Sequence, residues 1–255
     1  MSRLWFDFCK STGKQRRVFN KYIQMADEEY VAEERGRRET SKKVLARIAQ
    51  HKQQGVLLDI GCANGFFLDE ARKQGWDTRG VEISTWAAAY GRNELKLNIT
   101  NGFLEEANFP AEFFDVIVML DVIEHLTHPK QVLLEIKRIL KPQGVVYIST
   151  PDIASTLSRL LGAKWWGINK YHLFYFSKKT FETMINSCGF QVKKYHPHVR
   201  IFSLRYWIKR ITPYHQGIFS FIEFFVRAGK IGSQQVKVNL YDQIEAVITK
   251  KESFK

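Results

Sequence analysis

Residues Leu57-Leu58-Asp59-Ile60 make a short apolar run carrying one acid, and Gly61-Cys62-Ala63-Asn64-Gly65 follows without a break. The next residues, Phe66-Phe67-Leu68-Asp69-Glu70-Ala71-Arg72, place apolar side chains at helical spacing. The unit reads strand, tight turn, helix, the opening of a βαβ unit in a parallel sheet. Glycine at 61 and 65 lets backbone approach a ligand where a Cβ would collide. A helix starting there also points free N–H groups at the bound molecule. Further on, Asp77-Thr78-Arg79-Gly80-Val81-Glu82 reads as a second strand ending in a carboxylate. In a doubly wound sheet that acid lies beside the first turn and accepts hydrogen bonds from a ribose diol. The expected ligand is a nucleoside cofactor.

The turn discriminates among cofactors. A dinucleotide turn would read G-x-G-x-x-G, but the corresponding positions are Gly61, Ala63 and Phe66. A phosphate loop would end in Gly-Lys-Ser/Thr, and Asn64-Gly65-Phe66 offers no lysine. Asp59 just before the turn suits a ligand carrying an amino or sulfonium cation. The pattern Asp59-x-Gly61-x-x-x-Gly65, followed by Glu82, resembles the first two motifs of class I S-adenosylmethionine-dependent methyltransferases.

The resemblance continues along the chain. Phe114 to Leu126 is similar to the fourth strand and following loop of that family, and Pro129 to Leu140 to the next helix. Lys141-Pro142-Gln143-Gly144 leads into Val145 to Pro151; His172 to Ser177, Phe181 to Ile185 and Cys188-Gly189-Phe190 follow in order. The set resembles the branch holding ubiquinone-type O-methyltransferases and related small-molecule enzymes. It implies a Rossmann-like α/β fold with a seven-stranded sheet, mostly parallel with the last strand antiparallel, and helices on both faces. Strands are expected near 56–60, 77–82, 97–100, 114–120, 144–149, 191–195 and 244–249.

The resemblance also implies a site. S-adenosyl-L-methionine would meet Asp59, Gly61, Cys62, Ala63, Gly65 and Phe66 of the first turn. Glu82 and Ile83 would follow at the second, and Asp121 and Val122 after the fourth. Many relatives place an Asp after the third strand against the adenine amino group; here Phe103 and Leu104 stand there, so adenine is expected to meet apolar and backbone groups. Methyl transfer is an in-line displacement that needs an aligned hydroxyl and a proton acceptor. His125 and His172 are the candidate catalytic bases, since histidine titrates near neutral pH. The alternatives are that Glu124 and His125 pin a loop and that His172 is a packed histidine. The quinone relatives suggest a divalent ion at Asp121-x-x-Glu124-His125; one short cluster does not establish it, and no metal ligand is assigned. His128 reads as a loop residue, and His196 and His198 as a surface pair.

Charge bounds the partners. Of the net +13, residues 1–55 hold a surplus of six and 151–255 a surplus of eleven, while 56–150 hold a deficit of four. Basic charge thus flanks the cofactor half, where a substrate or surface is met. Nucleic acid is disfavoured, because Asp121-Val122-Ile123-Glu124 is not the Asn/Asp/Ser-Pro-Pro-aromatic tetrad of amino-base methylation and the loop has no cysteine. The expected partner is a small-molecule, lipid-like or sugar-derived methyl acceptor; the alternative readings of the chain are an RNA methyltransferase and a non-catalytic, membrane- or complex-associated protein that keeps the cofactor site. Cys9, Cys62 and Cys188 suit reduced cytosolic thiols, and no signal peptide is apparent.

Three parts are expected: an N-terminal helical cap over 1–54, the cofactor domain over 55–197 and 239–250, and a basic, aromatic, helical insertion over 198–238. The insertion carries Phe202, Tyr206, Trp207, Tyr214, Phe219, Phe221, Phe224 and Phe225 among Arg200, Arg205, Lys209, Arg210, Arg227 and Lys230. Its apolar stretch is too short to span a bilayer. It reads either as an interfacial helix on the inner face of an anionic membrane, through 199–230, or as a lid over the site.

Overall fold

The structure is a computed structural model, and it describes residues 28–198, 200–211 and 232–251. Cys9, Tyr214, Phe219, Phe221, Phe224, Phe225 and the first half of the expected cap lie outside the described residues. Seven strands form one sheet: β1 Val56–Ile60, β2 Asp77–Glu82, β3 Ile99–Asn101, β4 Phe114–Leu120, β5 Leu140–Pro151, β6 Phe190–Tyr195 and β9 Gln243–Lys250. Their order is β3-β2-β1-β4-β5-β9-β6, with β9 antiparallel to both neighbours and the other pairs parallel.

Near-continuous apolar strands are needed because both faces are covered. In β4, Val116 and Val118 point to one face and Ile117 and Met119 to the other. The first face packs on α2 Glu34–Ile48, through Val44, Leu45 and Ile48, and on α3 Phe66–Lys73, through Phe67, Leu68 and Ala71. The second packs on α5 Pro129–Ile139, through Val132, Leu133 and Ile136, and on α7 Lys178–Ser187, through Phe181 and Ile185. The remaining helices are α1 Glu28–Ala32, α4 Thr85–Asn93, α6 Thr156–Leu161 and α8 Leu204–Ile211. Among the described residues no helix is long and apolar enough to cross a membrane.

Two strand bounds differ from expectation. The third strand is shorter and later than 97–100. The fifth begins at Leu140, because the Lys141–Gly144 turn bulges out of a ladder that pairs Phe114 with Leu140 and resumes at Val116 with Val145. The larger difference is in the insertion, which opens and closes on strands: β7 Arg200–Ser203 pairs antiparallel with β8 Gln235–Val238 in a separate two-stranded sheet.

That small sheet is clasped to the N-terminal helices. Glu33 accepts hydrogen bonds from the Ser203 N–H at 2.9 Å and hydroxyl at 2.6 Å, and Thr40 Oγ1 accepts from the Ile201 N–H at 3.2 Å. Gly36 sits where helix meets strand, and a Cβ there would run into the Ile201 carbonyl oxygen. Gly36→Val should therefore lower stability by about 1–3 kcal/mol, the usual cost of overpacking, measurable as a lower chemical-denaturation midpoint with an unchanged slope.

Candidate active site

The first turn is built as its sequence demands. Gly61 takes φ 73° and Gly65 φ 84°, and Ala63 is forced to φ 46°. The Gly61 N–H donates to the Val81 carbonyl at 2.8 Å and the Gly65 N–H to the Cys62 carbonyl at 2.9 Å. Glu82 fastens the turn from the next strand, its carboxylate accepting from the Ala63 N–H at 2.9 Å and the Ser84 N–H at 2.7 Å. A Cβ on Gly61 would lie 2.6 Å from Val122 Cγ2, so the loop after β1 and the loop after β4 touch. Ile83, Phe103 and Leu104 lie at the ends of β2 and β3; the Phe103 N–H donates to Glu106 Oε2 at 3.0 Å and Leu104 is buried.

Asp59 and Glu82 are both buried, and among the described residues neither has an ion-pair partner. Burial, then the neighbouring Glu82, pushes the Asp59 carboxyl well above its usual range. Burial also raises Glu82, against the backbone N–H groups of Ser84 and Ala63. The Cys62 thiol rises through burial and then through both acids. Two buried carboxylates without a cation fit a cofactor that brings positive charge and hydroxyl donors.

Two contributors went unread in the sequence. Tyr30 of α1 stacks on Phe66 with ring centroids 5.9 Å apart, and the Arg37 guanidinium lies 3.4 Å over its ring. Its hydroxyl is kept protonated by burial, with Asp59, Cys62 and Glu82 adding to the effect against Arg37. The cap thus closes over the turn. Asn64, inside the turn, is buried with its side-chain Nδ2 unpartnered.

A second cluster forms beyond β4. Asp121 adopts φ 55°, held by its N–H donating to the Ser149 carbonyl and hydroxyl at 3.1 Å each. Asp121 is exposed at the surface, yet protein atoms around its carboxylate oppose ionisation; Arg200, then His198 and the Ser149 hydroxyl, bring its pKa below the usual value. Glu124 is buried, its Oε2 accepting from Thr150 Oγ1 at 2.9 Å while Oε1 has no partner. The Glu124 carbonyl accepts the N–H groups of Leu173 at 2.8 Å and Phe174 at 3.1 Å, which brings His172 to it. Trp165 and Trp166 anchor the same segment by donating to Asp242 Oδ2 at 3.4 and 2.8 Å.

The His125 and His172 rings meet edge to face at 4.7 Å. His125 Nδ1 lies 2.9 Å from the Tyr171 carbonyl oxygen, which can only accept; Nδ1 therefore carries the proton and Nε2 a lone pair. His125 reaches solvent, but the protein atoms packed around its ring partly desolvate it and lower its pKa, against Tyr171 and Asp121. Burial and then His125 bring His172 down to about 4. Both imidazoles are neutral at pH 7.

Burial, then Asp121, raises Glu124 to about 8. The folded state thus holds a proton that the unfolded chain releases near pH 4.5, so this group's contribution to stability falls as pH rises from about 4.5 to about 8. Glu124→Gln in chelator-treated protein should flatten the pH dependence of Tm across that window, relative to wild type, in scanning calorimetry.

Glu124, His125 and His172 each place a ligand atom within 4.8 Å of the other two. A carboxylate oxygen and two imidazole nitrogens suit a divalent transition ion, and the orphaned Glu124 Oε1 and His172 Nδ1 fit that use. The set differs from Asp121-x-x-Glu124-His125, taking His172 from another loop. His128 precedes α5, and His196 and His198 are half-buried rather than on the surface. Arg200 Nε donates to His198 Nε2 at 3.0 Å, turning its Nδ1–H toward Glu245 Oε2 at 3.6 Å.

Comparison with known proteins adds three findings. The profile of the family "Methyltransferase domain" matches residues 32–195. A ubiquinone biosynthesis O-methyltransferase of Rickettsia akari is 27% identical over 114 residues, 43% of this chain and 45% of that protein. Its counterpart in Rickettsia typhi is 30% identical over 99 residues, 37% and 40% of the two chains. The chain thus spans less than half the length of these relatives. The solved structure of a Pyrococcus horikoshii OT3 protein superimposes with TM-score 0.60 at 19% identity, covering 94% of this chain and all (100%) of that one, which shows a shared fold.

Proposed function

The chain belongs to the methyltransferase domain family, with S-adenosylmethionine as cofactor, and from that premise we propose that it transfers the methyl group to a hydroxyl oxygen of a small, lipid-like or sugar-derived acceptor. The observation that carries this reading is His125: a solvent-accessible, neutral imidazole whose free Nε2 stands in the loop that touches the donor turn.

The reaction follows from that placement. Asp59 and Glu82 hold the donor, the carboxylate of Glu82 meeting the ribose hydroxyls and the buried negative charge favouring a cation. When bound, the donor would supply a sulfonium methyl carbon open to in-line attack by the acceptor hydroxyl, the O–CH3 bond forming as the S–CH3 bond breaks with S-adenosylhomocysteine as the leaving group. His125 Nε2 takes the hydroxyl proton. Asp121 stabilises the resulting imidazolium, and the Nδ1–H bond to Tyr171 fixes the ring. In a metal-loaded site the His125 Nε2 lone pair would instead join Glu124 and His172 in holding a divalent ion, whose Lewis acidity would lower the hydroxyl pKa in place of proton transfer to His125.

The O-methyltransferase names of the Rickettsia relatives support oxygen as the acceptor atom. Metabolite and lipid profiling after feeding methyl-labelled methionine, in cells with and without the protein, tests the reading. A labelled methyl ether or ester that depends on the protein is expected. Label found on nitrogen or in RNA would overturn it.

A further inference from the structure

Beside the reacting cluster lies a cavity of about 270 Å3 lined by Asp152, His196, His198, Gln243 and Glu245, its wall completed by Tyr195, Tyr241 and Lys178. It sits where β5 and β6 end and β9 begins: Pro151 pairs with Gln243, and Tyr195 with Ala246. Three buried polar atoms of this wall have no hydrogen-bond partner, namely both amide atoms of Gln243 and Nε2 of His196, while Nδ1 of His198 faces Glu245 Oε2 at 3.6 Å. Gln243 is only 6% exposed. A buried donor or acceptor left unpaired costs about 1–3 kcal/mol, so several around one cavity mark a wall shaped for a polar occupant.

The wall is electrically balanced. Arg47 pairs with Glu245, and Lys178 shares the rim with Asp152. His196 is neutral, its pKa lowered by burial and then by Arg47 and Lys194. An ion of either sign finds no net countercharge. Hydroxyl groups do fit: each donates and accepts, as the amide and the imidazoles do, while the carboxylates accept. Two aromatic faces complete the match. Tyr241 is 74% exposed at the rim, held at φ 49° with its N–H donated to Asn239 Oδ1 at 2.9 Å. Tyr195 is the second aromatic residue of the wall, its hydroxyl donating to Glu182 at 2.6 Å.

We propose that this cavity binds a neutral, polyhydroxylated ring of hexose size, the non-reacting part of the methyl acceptor. His198 joins the two regions: it lines the cavity, accepts from Arg200, and with Arg200 bears electrostatically on Asp121. Glu245 of the same wall pairs across the sheet with Ser149, whose hydroxyl donates to Asp121 at 3.2 Å, so a ring seated here is linked to the reacting cluster through Asp121. The assignment rests on the methyl-transfer reading and narrows its acceptor to glycosidic or cyclitol compounds.

Saturation-transfer NMR on the full chain with S-adenosylhomocysteine bound, probed separately with D-glucose, D-mannose, L-rhamnose, myo-inositol and D-glucuronate, tests it. At least one neutral ring should receive saturation. Its affinity should fall at least tenfold in Gln243→Leu and in the surface variant Tyr241→Ala, with S-adenosylhomocysteine affinity unchanged in both. No transfer to any neutral ring, equal binding by both variants, or preference for glucuronate would overturn the cavity assignment. Failure of wild type to bind S-adenosylhomocysteine would instead count against the donor reading.

Discussion

Glu82→Ala should weaken S-adenosylhomocysteine binding by at least about 100-fold in isothermal titration. The carboxylate is assigned two ribose hydroxyl donors, and one hydrogen bond to a charged group contributes about 1.5–3 kcal/mol; two give about 3–6 kcal/mol, above the roughly 2.8 kcal/mol that corresponds to 100-fold. The substitution also frees the Ala63 N–H, which Glu82 holds while Ala63 sits at φ 46°. Glu82→Gln separates the two effects. Its one carbonyl oxygen keeps only one of the two backbone N–H bonds, from Ala63 or from Ser84, and cannot serve two ribose donors as well, so binding should remain weak while the thermal transition falls less than in Glu82→Ala. Wild-type affinity in both variants would remove Glu82 from the donor site.

His125→Gln should lower kcat by about 10²–10⁴, the usual contribution of general base catalysis, with the donor dissociation constant unchanged. It is measured with the acceptor that the labelling experiment yields. Glutamine can still donate to the Tyr171 carbonyl, so a histidine that merely pins the loop would be replaced with little loss. In wild type, the acid-side fall of kcat should be centred below the ordinary histidine value, because desolvation lowers the folded His125 pKa. A fall that begins above that value would assign the proton to another group.

The donor half was legible because local rules set it. Asp59, Gly61, Gly65 and Glu82 stand where one strand end, two left-handed backbone positions and the next strand end must lie, and neighbouring residues suffice to read them. Alternation of Val116 and Val118 against Ile117 and Met119 likewise follows from strand geometry alone. The acceptor half depended on distance. Glu124 meets His172 only because a carbonyl after β4 accepts the N–H groups of Leu173 and Phe174, a pairing of remote segments with no periodic signature. Tyr30 shows nothing in its surroundings that marks it as a neighbour of Phe66. The four residues of β7 are too few to distinguish a strand from the helix that follows at Leu204, and their partner β8 lies across the whole insertion. His196 and His198 read as surface residues because the cavity that they line exists only once β9 has paired between β5 and β6.

The clasp of Glu33, Gly36 and Thr40 on Ile201 and Ser203 means that two stretches distant in sequence behave as one interchangeable part. A chimaera that imports the insertion of another family member without its N-terminal helices would strand Glu33 opposite a foreign strand. The two stretches can therefore be exchanged between homologues only together, and substitutions on either side of the clasp should accumulate in matched pairs as such proteins diverge.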